Sequence, residues 1–315
     1  MHDSLVIPAC FAPTTRQTDE PSAVGAKSGQ CVSKSVYCTK LAGECRSITI
    51  HWFRNLLLHA FSLSIEASDG SDETFECRIE HKSWSFWRKQ GSKRFSLDDK
   101  VVDVVWDFQA AKFTTGEAEP SSDYYLAVVC DEEVALVVGD LRKDAYRKTG
   151  CRPALIDPVL VSRTEHVFGK KKFVTRIKFH DRGKSQEVSI RCAGNNSHPG
   201  SDLQLEIAVD GTVVIQVSHL QWKFRGNSSF QVSDTRVEVC WDVHDWLFDC
   251  GPRYGLFVFR TARMLSEAAS PPPLCSLPLM NQEKMDHARL LDDGDEDSPG
   301  GSFSFCLFFY AWMVD

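Results

Sequence analysis

Apolar and polar residues alternate along two long stretches of this chain. In the first, Phe95 and Leu97 are followed by Val102, Val104 and Trp106; in the second, Phe230 and Val232 are followed by Val237, Val239 and Trp241. A period of two belongs to a strand with one face buried and the other in water. Between the runs lie Asp98-Asp99-Lys100 and Ser233-Asp234-Thr235, polar residues whose side chains bond their own backbone in turns. Each stretch is therefore a predicted β-hairpin. Each is preceded by a glycine, Gly91 or Gly226, expected to supply a positive φ at a second turn.

The two hairpins are one sequence written twice. Residues 87–113 align without a gap on residues 222–248, a constant separation of 135. Along it Trp87/Trp222, Gly91/Gly226, Phe95/Phe230, Asp99/Asp234, Val102/Val237, Val104/Val239, Trp106/Trp241, Asp107/Asp242 and Phe113/Phe248 are identical. Chance would match roughly one or two such positions, so the alignment indicates an internal duplication. In both copies the Trp-Asp pair is expected to turn its indole inward and its carboxylate outward.

The same period marks residues 48–53, 61–65 and 75–79 as strands, and residues 174–179 with 188–192 repeat the first two of these 127 positions later. Residues 124–129 open a further hairpin around the acidic tip Cys130-Asp131-Glu132-Glu133, and residues 254–259 echo its first strand. One short helix is expected over 141–148, and Pro153 and Pro158 favour an extended course through 154–168. Residues 1–30 have the composition of a disordered arm. Residues 263–302, with three consecutive prolines and an acidic run from Asp292 to Asp297, read as a solvated tether. The closing apolar run, 303–315, falls short of the ~20 residues of a membrane helix and is expected to return as a terminal strand that closes a sheet edge. The predicted architecture is all-β: an antiparallel β-sandwich or paired barrels built from two duplicated halves, residues 31–150 and 151–262. An apolar connection between the halves favours packing as one unit.

With 315 residues, 43% of them hydrophobic, the chain can bury a substantial core. A formal net charge of −7 argues against a protein whose main task is coating nucleic acid. Twelve cysteines would suggest a secreted disulfide framework only behind a signal peptide. The opening MHDSLVIPACFAP lacks a basic flank and a long enough apolar run. The expectation is an intracellular protein, in cytoplasm or nucleus, with reduced thiols.

Three constellations of residues bear on chemistry. Cys31, Cys38 and Cys45 recur every seven residues, with His51 and His59 beyond, but that spacing is wider than the C-x₂₋₄-C of a structural zinc site. Isolated thiols are the better reading, with no metal and no cofactor. Cys240, Asp242 and His244 are spaced by two and would share a face on a continuous strand, as a thiol and imidazole pair requires. The first copy carries Val105 and Gln109 at the positions of Cys240 and His244, which weighs against a hydrolase. The third group is basic: Arg88, Lys89, Lys93 and Arg94 around Gly91, and Lys170, Lys171 and Lys172 in another turn. Together they would form an anion-binding surface for nucleic acid or anionic lipid. Lys223 and Arg225 are their thinner echo. Eight Trp and twenty Phe would also suit the lining of an apolar cavity. No P-loop, G-x-S-x-G, H-E-x-x-H or dinucleotide glycine pattern occurs.

The stretches FWRKQGSKRF, SDYYLAVVCDEEVALVVGDL, SRTEHVFGKKKF, HLQWKFRGN and WDVHDWLF, in this order, resemble the plant family catalogued as domain of unknown function 868. The likeness runs from about Cys31 to Phe259, and the late YAW is similar to the family's ending. The resemblance implies a land-plant origin and one β-rich unit; it brings no activity and no catalytic residue. The functional expectation is a non-enzymatic intracellular binding or interaction module with an unidentified protein partner. Its rivals are an apolar small-molecule carrier, a binder of nucleic acid or anionic lipid through the basic tips, and a cysteine-dependent hydrolase.

Overall fold

The computed structural model describes residues 31–55, 58–66, 74–82, 89–114, 117–179, 184–194, 203–233, 235–248, 253–263 and 303–314. The arm, most of the tether and Arg88 lie outside these residues. Strands dominate. The first part of the chain forms β1 (Cys31–Leu41), β2 (Glu44–Arg54), β3 (Leu58–Glu66), β4 (Thr74–Lys82), β5 (Gln90–Leu97), β6 (Lys100–Asp107), β7 (Tyr125–Cys130) and β8 (Glu133–Gly139). The helix α1 (Arg142–Thr149) and the short β9 (Arg152–Pro153) lead to β10 (Val159–Gly169). Then follow β11 (Lys172–Ile177), β12 (Gln186–Gly194), β13 (Leu203–Val209), β14 (Thr212–Val217), β15 (Arg225–Val232), β16 (Thr235–Asp242), the one-turn α2 (His244–Phe248), β17 (Tyr254–Arg263) and β18 (Phe303–Met313).

These strands make three open sheets. One holds nine strands in the order β15-β16-β17-β18-β10-β1-β2-β3-β4; the others are β5-β6-β7-β8-β9 and β11-β12-β13-β14. The five-stranded sheet closes a core with β1–β3, in which Ile48, Ile50, Leu63, Val102, Val104, Leu126 and Leu136 are buried. The four-stranded sheet closes a second core with β16–β18, around Phe173, Ile190, Ile207, Val239, Phe257, Phe259 and Phe309. The described residues thus form two sandwiches that share one continuous sheet, with no closed barrel among them. The sharing has a twist: hairpin β5-β6 belongs to a covering sheet, whereas its sequence echo β15-β16 lies at the end of the shared one.

Both hairpins nevertheless keep one register. Gly91 stands opposite Trp106, and Gly226 opposite Trp241. Phe108 N donates to Lys89 O at 2.6 Å, and Val243 N to Phe224 O at 2.9 Å, at corresponding positions. Asp107 Oδ1 accepts the Gln109 N–H (2.9 Å) and Asp242 Oδ1 that of His244 (3.0 Å). The carboxylate of the Trp-Asp pair therefore closes an Asx turn as the chain leaves the strand.

Two expectations need correction. Gly91 and Gly226 are not turn residues with positive φ; both lie inside strands, and what excludes a side chain is the indole of the opposed tryptophan. The terminal strand does form, but in the interior of the shared sheet, antiparallel to β17 and parallel to β10, not at an edge. An eleven-residue run as apolar as FSFCLFFYAWM is best buried on both faces, which an interior strand achieves.

Candidate functional site

Strand β5 is, among the described residues, the end strand of its sheet and carries Lys93 and Arg94, two of the basic residues singled out in the sequence. The Phe108 to Lys89 bond fixes which way its backbone faces. Hydrogen-bonded pairs alternate along an antiparallel ladder, so Gly91, Lys93 and Phe95 turn their amides toward β6. Gln90, Ser92, Arg94 and Ser96 turn theirs to the outer edge. Side chains alternate as well. Lys93 shares a face with core-facing Val104, while Arg94 shares the opposite face with Asp103. Neighbours in sequence, these two cations point to different sides of the sheet.

Arg94 grips Asp103 in a fork, Nε to Oδ1 at 2.7 Å and Nη2 to Oδ2 at 2.9 Å. Beside this pair lies an open depression of about 430 Å³, lined by Gln90, Ser92, Arg94, Asp103, Lys148 and Thr149 over a floor that includes Val105 and Val129. The far wall is the end of α1, which stops at Gly150 in the left-handed region (φ 67°) and turns into Cys151. Two cations and one carboxylate give the lining a net charge of one positive.

Lys170, Lys171 and Lys172 are exposed where β10 hands the chain to β11, in the other sandwich, and do not line this depression. Lys89, half-buried, immediately precedes β5. In the echoed hairpin Arg225 pairs with Asp242 (2.8 Å) and lies over the Phe224 ring, beside a fully turned-out Trp222.

The other candidate groups are dispersed. Cys240 is buried with Leu256, Val258 and Phe308, while His244 has left the strand for α2, where its ring meets Asp245, Phe224 and Phe248. The common face expected for Cys240, Asp242 and His244 ends with the strand at Asp242, because the Asx turn bends the chain away. Of the three spaced cysteines, Cys38 and Cys45 meet across the β1-β2 hairpin at 3.1 Å between sulfurs, whereas Cys31 lies at the other end of β1. Among the described residues no group of three or more His, Cys, Asp or Glu is placed to hold a metal ion.

A central ionic cluster left no trace in the sequence pattern. On the inner face of the shared sheet, β1 and β10 place Ser33 opposite Glu165 and Ser35 opposite Arg163, a polar strip between two apolar cores. The two serine hydroxyls are buried there without a hydrogen-bond partner among the described residues. Arg163 reaches Glu165 at 2.5 Å and Glu119 at 2.6 Å; Tyr124 donates to Glu119 at 2.7 Å. From the same connecting loop Glu117 approaches Arg176 of β11 at 3.9 Å, and Arg54 donates to the carbonyls of Thr114 and Glu117. Burial pushes the Glu117 and Glu165 carboxyls up, against the pull of their arginines. Three arginines balance three glutamates, which fits an internal network that ties the two sandwiches together better than a site for a charged ligand. Its members are scattered from residue 33 to residue 176, so only pairing between strands could reveal them.

The aromatic residues are largely spent on packing. Trp52, Phe61, Trp106, Phe108 and Tyr124 contact one another with ring centroids 5.3 to 6.0 Å apart. No described helix is long and apolar enough to cross a membrane. Comparison with known proteins returns one family: the model described as "Plant protein of unknown function (DUF868)" matches residues 28–313. No curated protein and no solved structure gives a match.

Proposed function

Since the chain belongs to this plant family of unknown function, whose description carries no activity, we propose from the geometry that it is a non-enzymatic interaction module. Its docking element is the outer edge of β5, where a partner adds a strand. One observation carries the reading. The outward backbone groups of Gln90, Ser92, Arg94 and Ser96 run directly beside the depression that the side chains of Gln90, Ser92 and Arg94 help to line. In strand addition the backbone ladder supplies affinity and pockets for alternate side chains supply specificity. Arg94 and Lys148 against Asp103 favour an acidic side chain in that pocket, so the partner is an extended, acidic protein segment. The charged side chains on β5 also serve to discourage self-pairing, which keeps the edge for a chosen partner. The matching register of β5-β6 and β15-β16 supports a duplication in which one copy went to the shared sheet and the other remained an edge.

The test is capture of partners from plant cells on the full-length chain, compared with Ser92→Pro. Proline removes an outward N–H at the edge and leaves the bonds to β6. Loss of captured protein in Ser92→Pro, with unchanged circular dichroism, is the expected result; undiminished capture rejects the edge. Binding of nucleic acid or anionic vesicles to the unaltered chain at low salt, steeply weakened by added salt and by Lys170→Glu with Lys172→Glu, would support the basic-surface reading instead.

A further inference from the structure

We infer that Cys38 and Cys45 form a cross-strand dithiol site, reversibly oxidised to a disulfide by a small-molecule disulfide of the glutathione type. The two cysteines lie on neighbouring strands of the β1-β2 hairpin. Cys38 stands opposite Ser47 and Cys45 opposite Lys40, so the two cysteines are diagonal neighbours on the outer face of the shared sheet. Their sulfurs are 3.1 Å apart, about 1 Å more than the length of a disulfide bond. The two-residue turn Ala42-Gly43, with φ values of 56° and 93°, holds the strands in the register that brings the sulfurs together.

Access separates this pair from the buried thiols of the fold. Cys45 is exposed and Cys38 half-buried, whereas Cys130, Cys192 and Cys240 are buried. Burial also pushes the Cys130, Cys192 and Cys306 thiols up, the last to about 11, which holds them as unreactive thiols at neutral pH. The exposed Cys45 is therefore the attacking thiolate and Cys38 the resolving one. In the first step the Cys45 thiolate attacks one sulfur of the oxidised tripeptide; its S–S bond breaks, one tripeptide leaves as thiolate and takes up a proton. In the second, the Cys38 thiolate attacks Cys45 Sγ in the mixed disulfide and expels the other tripeptide. Two protein thiols are oxidised, one small disulfide is reduced to two thiols, and the protons balance. The product cross-links β1, the strand that joins the sandwiches through β10, to its hairpin partner β2.

The sequence allows a direct assay, since trypsin cuts after Lys34, Lys40 and Arg46 and places the cysteines in separate peptides, SVYCTK and LAGECR. The reduced full-length chain is equilibrated with mixtures of oxidised and reduced glutathione, quenched in acid, blocked with maleimide, digested and analysed by mass spectrometry. The expected species is the two peptides joined, about 2 Da lighter than their sum. Its yield should rise with the ratio of oxidised glutathione to the square of reduced glutathione, and dithiothreitol should abolish it. In Cys38→Ser the resolving thiol is gone, so Cys45 should accumulate as a mixed disulfide with glutathione while circular dichroism stays unchanged. Recovery of both peptides maleimide-labelled, or each carrying glutathione, across the whole range would overturn the proposal. So would a linked pair that forms only after denaturation.

Discussion

A Cβ atom added to Gly226 would lie 2.4 Å from Cζ2 of Trp241, the residue directly across the hairpin. Gly91 stands under Trp106 in the same way, at 2.6 Å. Both indoles are buried, and that of Trp241 donates to Lys223 O at 3.1 Å. In each hairpin the glycine is the space that lets the ring lie flat against the neighbouring strand.

Gly226→Ala and Gly91→Ala are therefore overpacking substitutions and should each cost ~1–3 kcal/mol. Trp241→Ala should cost ~3–5 kcal/mol. Urea unfolding monitored by far-ultraviolet circular dichroism measures all three. A midpoint for Gly226→Ala equal to that of the unaltered chain would show that the ring moves aside freely.

Arg163 holds two carboxylates, that of the buried Glu165 and that of the half-buried Glu119. Arg163→Met strands both and should cost ~3–5 kcal/mol. Adding Glu119→Gln and Glu165→Gln should recover most of that loss, because the penalty lies in uncompensated charge. Equal stability of the single and triple variants would contradict this account.

Glu117 gives the pH signature. Burial raises its carboxyl above the ordinary range, so the folded chain binds a proton there more tightly than the unfolded one. Its contribution is fully present below the unfolded value of about 4.3 and is lost as pH rises through the elevated folded value. Glu117→Gln should be slightly more stable than the parent at pH 7, with the advantage fading toward pH 4. Thermal unfolding at the two pH values decides it; a destabilised variant at pH 7 would mean that the Arg176 contact outweighs burial.

Arg94 and Asp103 form an exposed fork, with the arginine side chain 73% accessible. Arg94→Ala should leave the unfolding midpoint nearly unchanged, because exposed ion pairs contribute little to folding, while weakening capture of an acidic partner segment. A large loss of stability would make the pair structural and remove it from the docking surface.

The last strand should be indispensable. Phe309 is fully buried beside Phe257, and β18 is the strand that connects β17 to β10. Phe309→Ala should cost ~3–5 kcal/mol. A chain ending at residue 302 should expose two strand edges and fail to give a soluble, cooperatively unfolding product; normal unfolding of that truncation would show that β18 is dispensable.

Alternating residues such as Val102, Val104 and Trp106 determined from sequence alone that the chain is β-rich, where its hairpins turn and which indoles are buried. These are local properties, because the period of two and the chemistry of short turns act over a few residues. The sequence also carried α1 to within a residue at each end. It could not say that β18 enters the middle of a sheet, that Ser33 and Ser35 meet Glu165 and Arg163, or that Lys93 and Arg94 face apart while Cys38 meets Cys45. Each of those depends on which strand lies beside which and in what register, and a shift of one residue would reverse every face. Register between distant strands is settled by burying two cores at once, an energy that belongs to the assembled sheets and to no single segment.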